Sequence, residues 1–448
     1  MVASEARTGR SVDTSNRGQV VRAVAASTIS STLEWYDFFL FGFAAATVLG
    51  RLFFPTQSAF LSTLLALGTY AAGFAARPVG AALFGHLGDR IGRKATLTAT
   101  MLLTGLATAA VALVPTYADA GVVGGILLVL LRLVQGAAVG GGWAGSALLS
   151  IEWGHRGRRG FLGSWTQLGL PAGLALAYGS MEVFTAWLGA DAGWRMAFAL
   201  SLVLIVAALY VRIGVRETPV FTQLLAERRI EQSPVVQVVA LQWREVVLSA
   251  LLRTGQQAPF YLFTVFVLTD ATGTLKLARA DVVQAVLIAA AISVVTMPLW
   301  GFISDIVGRK RLIVVGAVAM LAWSYPYWSL LGTRTPMFVL LAIVVSLPIH
   351  DAQYAPQAAF IAESFTGRLR YSGAALGSQL AALVADGPAP LIALGLLRQF
   401  GDARVIAAFM GLCALVGLLA ALALKDRSRQ DMSVEYDEPA LVRAPART

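Results

Sequence analysis

Seven ionisable side chains of this 448-residue chain stand inside long apolar stretches: Glu34, Asp37, Arg77, Arg132, Arg253, Asp351 and Asp386. Each would be expensive at hydrocarbon depth unless paired or opened to water, so each asks for a function. Two chemistries fit. A carboxyl group can load and unload a proton, and a guanidinium fork can grip a carboxylate through paired hydrogen bonds. Glu34 and Asp37 are three residues apart and share one helix face. Arg132 lies about 16 Å past Gly121 along its helix, Arg77 about 12 Å before Gly85, and Arg253 about 14 Å past Arg244. Asp351, beside His350, and Asp386 fall mid-way along their own stretches.

Arg253 is followed by Gln256, Gln257, Phe260 and Tyr261, a polar and aromatic face of the kind that lines a small-molecule site. Arg77 is either a second anion grip or a structural brace for the loop that follows it. Asp351 and Asp386 read three ways: a second proton site, ligands for an ammonium group, or partners of the buried cations. His350 reads as a satisfied polar residue between helices. Trp165, Gln167 and Tyr178 are placed to face a cavity from the fifth helix.

The elements that must position these groups follow from composition. A chain 57% hydrophobic and 13% charged has more apolar surface than one globular core can hide. Runs of about 20 apolar residues recur throughout, each long enough to cross a bilayer. Twelve helices are expected, at 21–49, 58–84, 95–115, 121–149, 161–187, 193–214, 244–270, 281–302, 311–331, 336–361, 371–397 and 402–424. Residues 1–20 are polar and read as an N-terminal segment without a secretory signal. A charged loop at 215–243, with Arg228 and Arg229, divides a six-helix bundle at 21–214 from another at 244–424. The tail, 425–448, is charged and is assigned no fold. The glycines at 140–142 and the Gly169–Pro171–Gly173 run read as close packing and a kink.

A ten-residue phrase occurs twice. Residues 85–94 read GHLGDRIGRK and residues 301–310 read GFISDIVGRK, with Gly, Asp, Gly, Arg and Lys identical. The copies stand 216 residues apart, at matching points of two halves (85 and 301). Such self-similarity is the mark of a transporter built from related halves. A second echo pairs Glu152, Arg158 and Arg159 with Glu363, Arg368 and Arg370. Of 35 Lys and Arg residues, 25 fall on the side of the repeated loops and seven on the other, with Arg77, Arg132 and Arg253 between. That skew puts both termini in the cytosol and turns the +10 net charge away from a nucleic-acid reading.

The repeated phrase resembles the G-x-L-x-D-R-x-G-R-K loop motif of the major facilitator superfamily. Glu34-Trp-Tyr-Asp-Phe-Phe, Arg77-Pro-Val-Gly, Gly193-Trp-Arg and Glu217-Thr-Pro together resemble its metabolite:proton symporters, the branch with shikimate, 2-oxoglutarate, citrate and proline/betaine carriers. The resemblance implies an all-α membrane protein, twelve transmembrane helices in two pseudo-symmetric six-helix bundles. Tyr36-Asp37 matches the helix-1 acid of related sugar porters, and Arg132 opens a similar helix-4 motif. The resemblance therefore makes Asp37 the proton carrier, Arg132 its partner, and Tyr36 a further substrate contact. Glu34 either shares the proton or bonds the substrate, and a static Asp37–Arg132 brace is the plain alternative. Gly85, Asp89, Arg90, Gly92, Arg93 and Lys94, with Asp305, Gly308, Arg309 and Lys310, are the expected gate. Ile306 replaces one motif arginine, so the second loop is expected to be the weaker latch. The tail lacks the coiled coil of some osmolyte carriers.

No catalytic constellation or phosphate loop is visible, and His86, His155 and His350 are scattered. Metal, nucleotide, cofactor and enzymatic roles are not expected. With Cys413 alone, no internal disulfide can form. The expected function is proton-coupled import of a small carboxylate-bearing metabolite by a plasma-membrane carrier acting as a monomer. Import of a zwitterion such as a betaine, or proton-driven export, are the rivals.

Overall fold

The computed structural model describes residues 17–56, 58–154, 156–227, 231–273, 275–430 and 432. The expected segment 1–16, His155, Arg228, Arg229 and the tail end 433–448 lie outside the described residues. Twelve helical spans follow one another. In the first half they are α1 (Arg17–Ala44, continuing to Phe53), α2 (Ala59–Arg90), α3 (Arg93–Val111), α4 (Val122–Glu152), α5 (Arg159–Gln167 and Gly169–Leu188) and α6 (Ala190–Ala199 and Ser201–Arg212). In the second they are α7 (Trp243–Tyr261, continuing to Gly273), α8 (Arg279–Val307), α9 (Arg309–Gly332), α10 (Pro336–Glu363), α11 (Arg370–Gln379 and Pro388–Phe400) and α12 (Ala403–Ala423). By length and composition nine of the described helices qualify as membrane spans, ten with a bent pair at the start of α7 counted as one. Exposed Ile126, Leu130 and Leu133 on α4, and Val203, Val206 and Tyr210 on α6, form outward apolar stripes of helical spacing.

The duplication is visible in the irregularities as well as the helices. Both α1 and α7 widen into a π-turn, at Ala45–Leu49 and Leu262–Phe266. Both α5 and α11 are interrupted, at Leu168 and over 380–387. In α5, Pro171 has no N–H to give the carbonyl of Gln167, and in α11 Pro388 and Pro390 act likewise. The continuous helix expected at 371–397 is therefore corrected: Asp386 sits in a turn between two helical pieces.

The repeated phrase also differs from the expected ten-residue turn. GHLGDR continues α2 as helix, and the reversal is made by Ile91 and Gly92 alone; Gly308 does the same between α8 and α9. Gly92 has φ +108° and Gly308 φ +101°, the left-handed region that L side chains rarely adopt. The loop at 215–243 carries two short helices, Pro219–Ala226 and Pro234–Leu241. Within the first half, α2 and α4 approach so closely that a Cβ on Gly80 or Gly136 would overlap the carbonyls of Ala137 and Gly73. Between the halves, α2 packs on α11 and α5 on α8 and α10. An aromatic seam joins α1 to α7, with Phe38 against Tyr261 (5.4 Å) and Trp35 against Phe260 (6.3 Å).

Candidate functional site

Asp37 is held on every side by its own half. Arg132 from α4 approaches Oδ2 at 2.9 Å, while Gln135 and Thr108 donate to Oδ1 at 2.6 and 2.7 Å. Arg132 lies over the ring of Phe41 at 4.2 Å and bonds Gln135 at 3.0 Å. Gln135 stands three residues past Arg132 on the same face, a spacing legible in the sequence; Thr108 carried no such signal. A carboxylate with three donors is fixed in place, and can release them only if α1, α3 and α4 shift.

Arg253 differs. It is 2% exposed and forms no ion pair among the described residues. Its bond to Gln357 is 3.4 Å long, and it rests over Trp143 (4.7 Å) and Tyr354 (5.6 Å). Its Nε has no hydrogen-bond partner. Glu34 is a buried carboxyl that accepts no hydrogen bond from the described residues, yet lies in electrostatic reach of Arg253 and Arg77. The interior thus offers an unengaged cation and an unengaged acid close together.

Arg77 is engaged across the halves, by Asp386 at 3.1 Å. A polar chain runs on from this pair: Gln257 reaches Asp386 at 3.5 Å, Gln256 donates to Gln257 at 2.8 Å, and Gln256 contacts His350. His350 then meets Asp351 at 3.1 Å, which accepts from Ser293 and Thr296. His350 is packed between Phe260 and Tyr354, so it is a satisfied member of this chain. Tyr261 packs on Phe38 and Phe74 beside Arg77. Gln167 joins the halves, accepting from Trp143 and donating to the Tyr354 carbonyl, both at 3.0 Å.

Three candidates point elsewhere. Tyr36 turns away from the interior and donates to the Ala197 carbonyl at 2.5 Å within the first half. Adjacent helix positions diverge by about 100°, so the neighbour of Asp37 need not share its view. Trp165 packs edge-on against Phe161 near the start of α5, close to the repeated loops. Tyr178 lies against Phe43.

At the repeated-loop end, each half caps a helix of the other. Asp89 accepts from the backbone N–H groups of Tyr371 (3.2 Å) and Ser372 (2.9 Å) at the start of α11. Asp305 accepts from Gly160 (2.9 Å) and Phe161 (2.8 Å) at the start of α5. A carboxylate at a helix N-terminus satisfies orphan donors and meets the positive end of the helix dipole. Arg93 then links Asp89 (3.3 Å) to Glu152 (3.6 Å), and Arg309 links Asp305 (3.1 Å) to Glu363. Arg370 reaches across to Glu152 and Arg159 to Glu363. Arg90, the residue that Ile306 replaces, is exposed, and among the described residues its hydrogen-bond partner is His86. Arg90 therefore takes no part in either set of caps, and Ile306 leaves the bonds of Asp305 intact. Lys94 offers its backbone N–H to Glu217, and Lys310 donates to the carbonyls of Leu422 and Leu424. The tail, expected to be without structure, lays the carbonyls of Ser428, Gln430 and Met432 on Arg309, Arg159 and Arg370. At the opposite end Arg279 pairs with Glu182 at 3.4 Å and lies over Phe43.

A sequence profile of the Major Facilitator Superfamily matches residues 27–385. The shikimate transporter of Escherichia coli (strain K12) is 34% identical over 424 residues, covering 91% of this chain and 95% of that protein. The inner membrane metabolite transport protein YhjE of the same organism is 33% identical, covering 89% and 93%. The proline/betaine transporter of Salmonella typhimurium is 26% identical, covering 93% and 85%. Among solved structures, the proton:xylose symporter XylE bound to 6-bromo-6-deoxy-D-glucose superposes with a TM-score of 0.75. It is 19% identical, covering 91% of this chain and 95% of that one.

Proposed function

This chain belongs to the major facilitator superfamily, and from that premise we propose that it imports a small carboxylate-bearing metabolite together with protons. It is a multi-pass membrane protein and a transporter, not an enzyme. The observation that carries the substrate class is Arg253, a guanidinium buried among aromatic rings with no carboxylate paired to it among the described residues. A substrate carboxylate supplies the missing partner, and Trp143 and Tyr354 hold the fork in place to receive it. The name of the shikimate transporter agrees with such a ligand.

Asp37 is the proton carrier in this reading. Its bonds to Arg132, Gln135 and Thr108 stay within one half, so a shift among α1, α3 and α4 during the transport cycle loosens them together. Both termini and the 215–243 loop face the cytosol, on the basic side, and the halves are residues 21–214 and 244–424. The reciprocal caps of Asp89 and Asp305 then close the cytosolic side. The carrier needs no second copy to complete its site.

A second reading, import of a zwitterion, is favoured by one observation: Glu34 is a buried acid without a hydrogen-bond partner among the described residues, in electrostatic reach of Tyr354. A quaternary ammonium suits an acid and aromatic faces. Whole-cell uptake with competing unlabelled shikimate, 2-oxoglutarate, citrate and glycine betaine separates the two. Competition by a carboxylate, lost in Arg253→Gln, supports the first reading; competition by glycine betaine alone overturns it.

A further inference from the structure

We propose that Asp386 is a protonation site that stands in for a second substrate carboxylate on Arg77, so that this carboxylate displaces it as one proton neutralises it. This deepens the carboxylate–proton reading above and rests on it.

The two buried arginine–carboxylate pairs of the central layer are built differently. Asp37 is fixed by three short bonds inside one half. Asp386 receives a single bond from Arg77 at 3.1 Å and a stretched one from Gln257 at 3.5 Å, and its pair spans the halves. The arginine is the better anchored partner, since its guanidinium lies between Phe38 (4.8 Å) and Phe74 (4.4 Å). The carboxylate sits where α11 is interrupted, so it can move without breaking a continuous helical ladder. Gly387 brings that break directly onto Phe74, where a Cβ would stand only 2.8 Å from the ring. The arrangement holds Arg77 still and leaves Asp386 able to depart.

Charge conservation decides what form it departs in. With Arg77 and Asp386 both ionised, the pair is neutral. If an anionic substrate replaced Asp386 while that group kept its charge, the pocket would hold one excess negative charge in a medium of low dielectric, which is strongly disfavoured. If Asp386 takes a proton from the outer aqueous side, the occupied pocket is neutral again: Arg77 cation, substrate carboxylate, Asp386 acid. On the cytosolic side the substrate leaves, the proton follows to water, and Asp386 returns to Arg77. The other groups facing Asp386 are Tyr70 on α2, Arg253 and Tyr261 on α7, and Tyr354 on α10. His350 and Asp351 are reached only through Gln257 and Gln256. None of the tyrosines can supply the positive charge that would make the proton unnecessary, and Arg253 takes its own carboxylate in the reading above.

The test is binding of 2-oxoglutarate, a dianionic probe with one carboxylate for Arg253 and one for Arg77, to the purified full-length carrier from mildly acid to mildly alkaline pH. In the wild type the apparent affinity falls as pH rises, approaching about tenfold per unit, because one proton enters with the carboxylate that Arg77 takes. In Asp386→Asn the affinity no longer depends on pH in this way. In Asp386→Glu the dependence persists with its midpoint displaced, which keeps the proposal testable if the Asn variant does not fold. A wild-type slope in Asp386→Asn, or an unmoved midpoint in Asp386→Glu, overturns the proposal while 2-oxoglutarate binding itself remains. If the wild type binds no 2-oxoglutarate at any pH, this inference falls; if it binds no shikimate either, the carboxylate reading falls with it.

Discussion

Replacing Asp89 by Asn tests the cytosolic latch most directly. The carboxylate accepts two backbone N–H bonds at the start of α11 and one contact from Arg93. Asn keeps one acceptor oxygen and turns an amide donor toward the second N–H. One charge-assisted bond is lost and the other becomes neutral, so the closed state loses about 2–3 kcal/mol. That changes the ratio of closed to open carrier by roughly 30- to 150-fold. Asp305 makes the same pair of backbone bonds to α5, so Asp305→Asn should act with similar strength. The two latches hold one closed state from different places, and their effects should add in the double variant. Spin labels on cysteines at Arg90 and Ile306, both exposed, report the distance between the halves in a Cys413→Ser background. The long-distance population should rise in each variant. An unchanged distribution in Asp89→Asn, or a response in only one of the two, refutes the reciprocal latch.

In proteoliposomes with an imposed pH gradient, Asp37→Asn should lower uphill uptake to what the proton on Asp386 alone can drive, while counterflow continues at a measurable rate; accumulation equal to the wild type's would remove Asp37 as a carrier. Arg132→Ala should damage both, since it leaves a buried carboxylate without its cation, at about 3–5 kcal/mol. Cysteines at Ser11 and Gln232 should resist an impermeant thiol reagent in intact cells, and labelling of both from outside would reverse the orientation. Gly136→Leu should lower the yield of folded carrier sharply, because its side chain must enter the backbone of Gly73 on α2; a normal thermal midpoint would contradict that contact.

Much of the frame was legible in local pattern. The duplicated phrase marks the two places where Asp89 and Asp305 reach across, and the apolar runs mark the spans. The depth of Arg132 followed from a count of residues, because a helix rises by a fixed step. What pairs with what was less legible. Arg77 and Asp386 are separated by 309 positions and lie in different halves, and nothing local records their meeting. The interruption of α11 did leave a trace, Gly387-Pro388-Ala-Pro390, a run that cannot sustain a helical ladder. Tyr36 misled because it adjoins Asp37 in sequence, and adjacency is the wrong measure of direction on a helix. The bonds made by the tail arise from backbone carbonyls, which have no sequence signature at all.

The exchange of helix caps between the halves has a genetic consequence. A lesion in the loop between α2 and α3 is felt at the first turn of α11, and one between α8 and α9 at the first turn of α5. Compensating changes that restore growth on the transported nutrient should therefore arise mainly in the half opposite the original lesion. A selection for such revertants would draw, from sequence alone, the line along which the two halves touch.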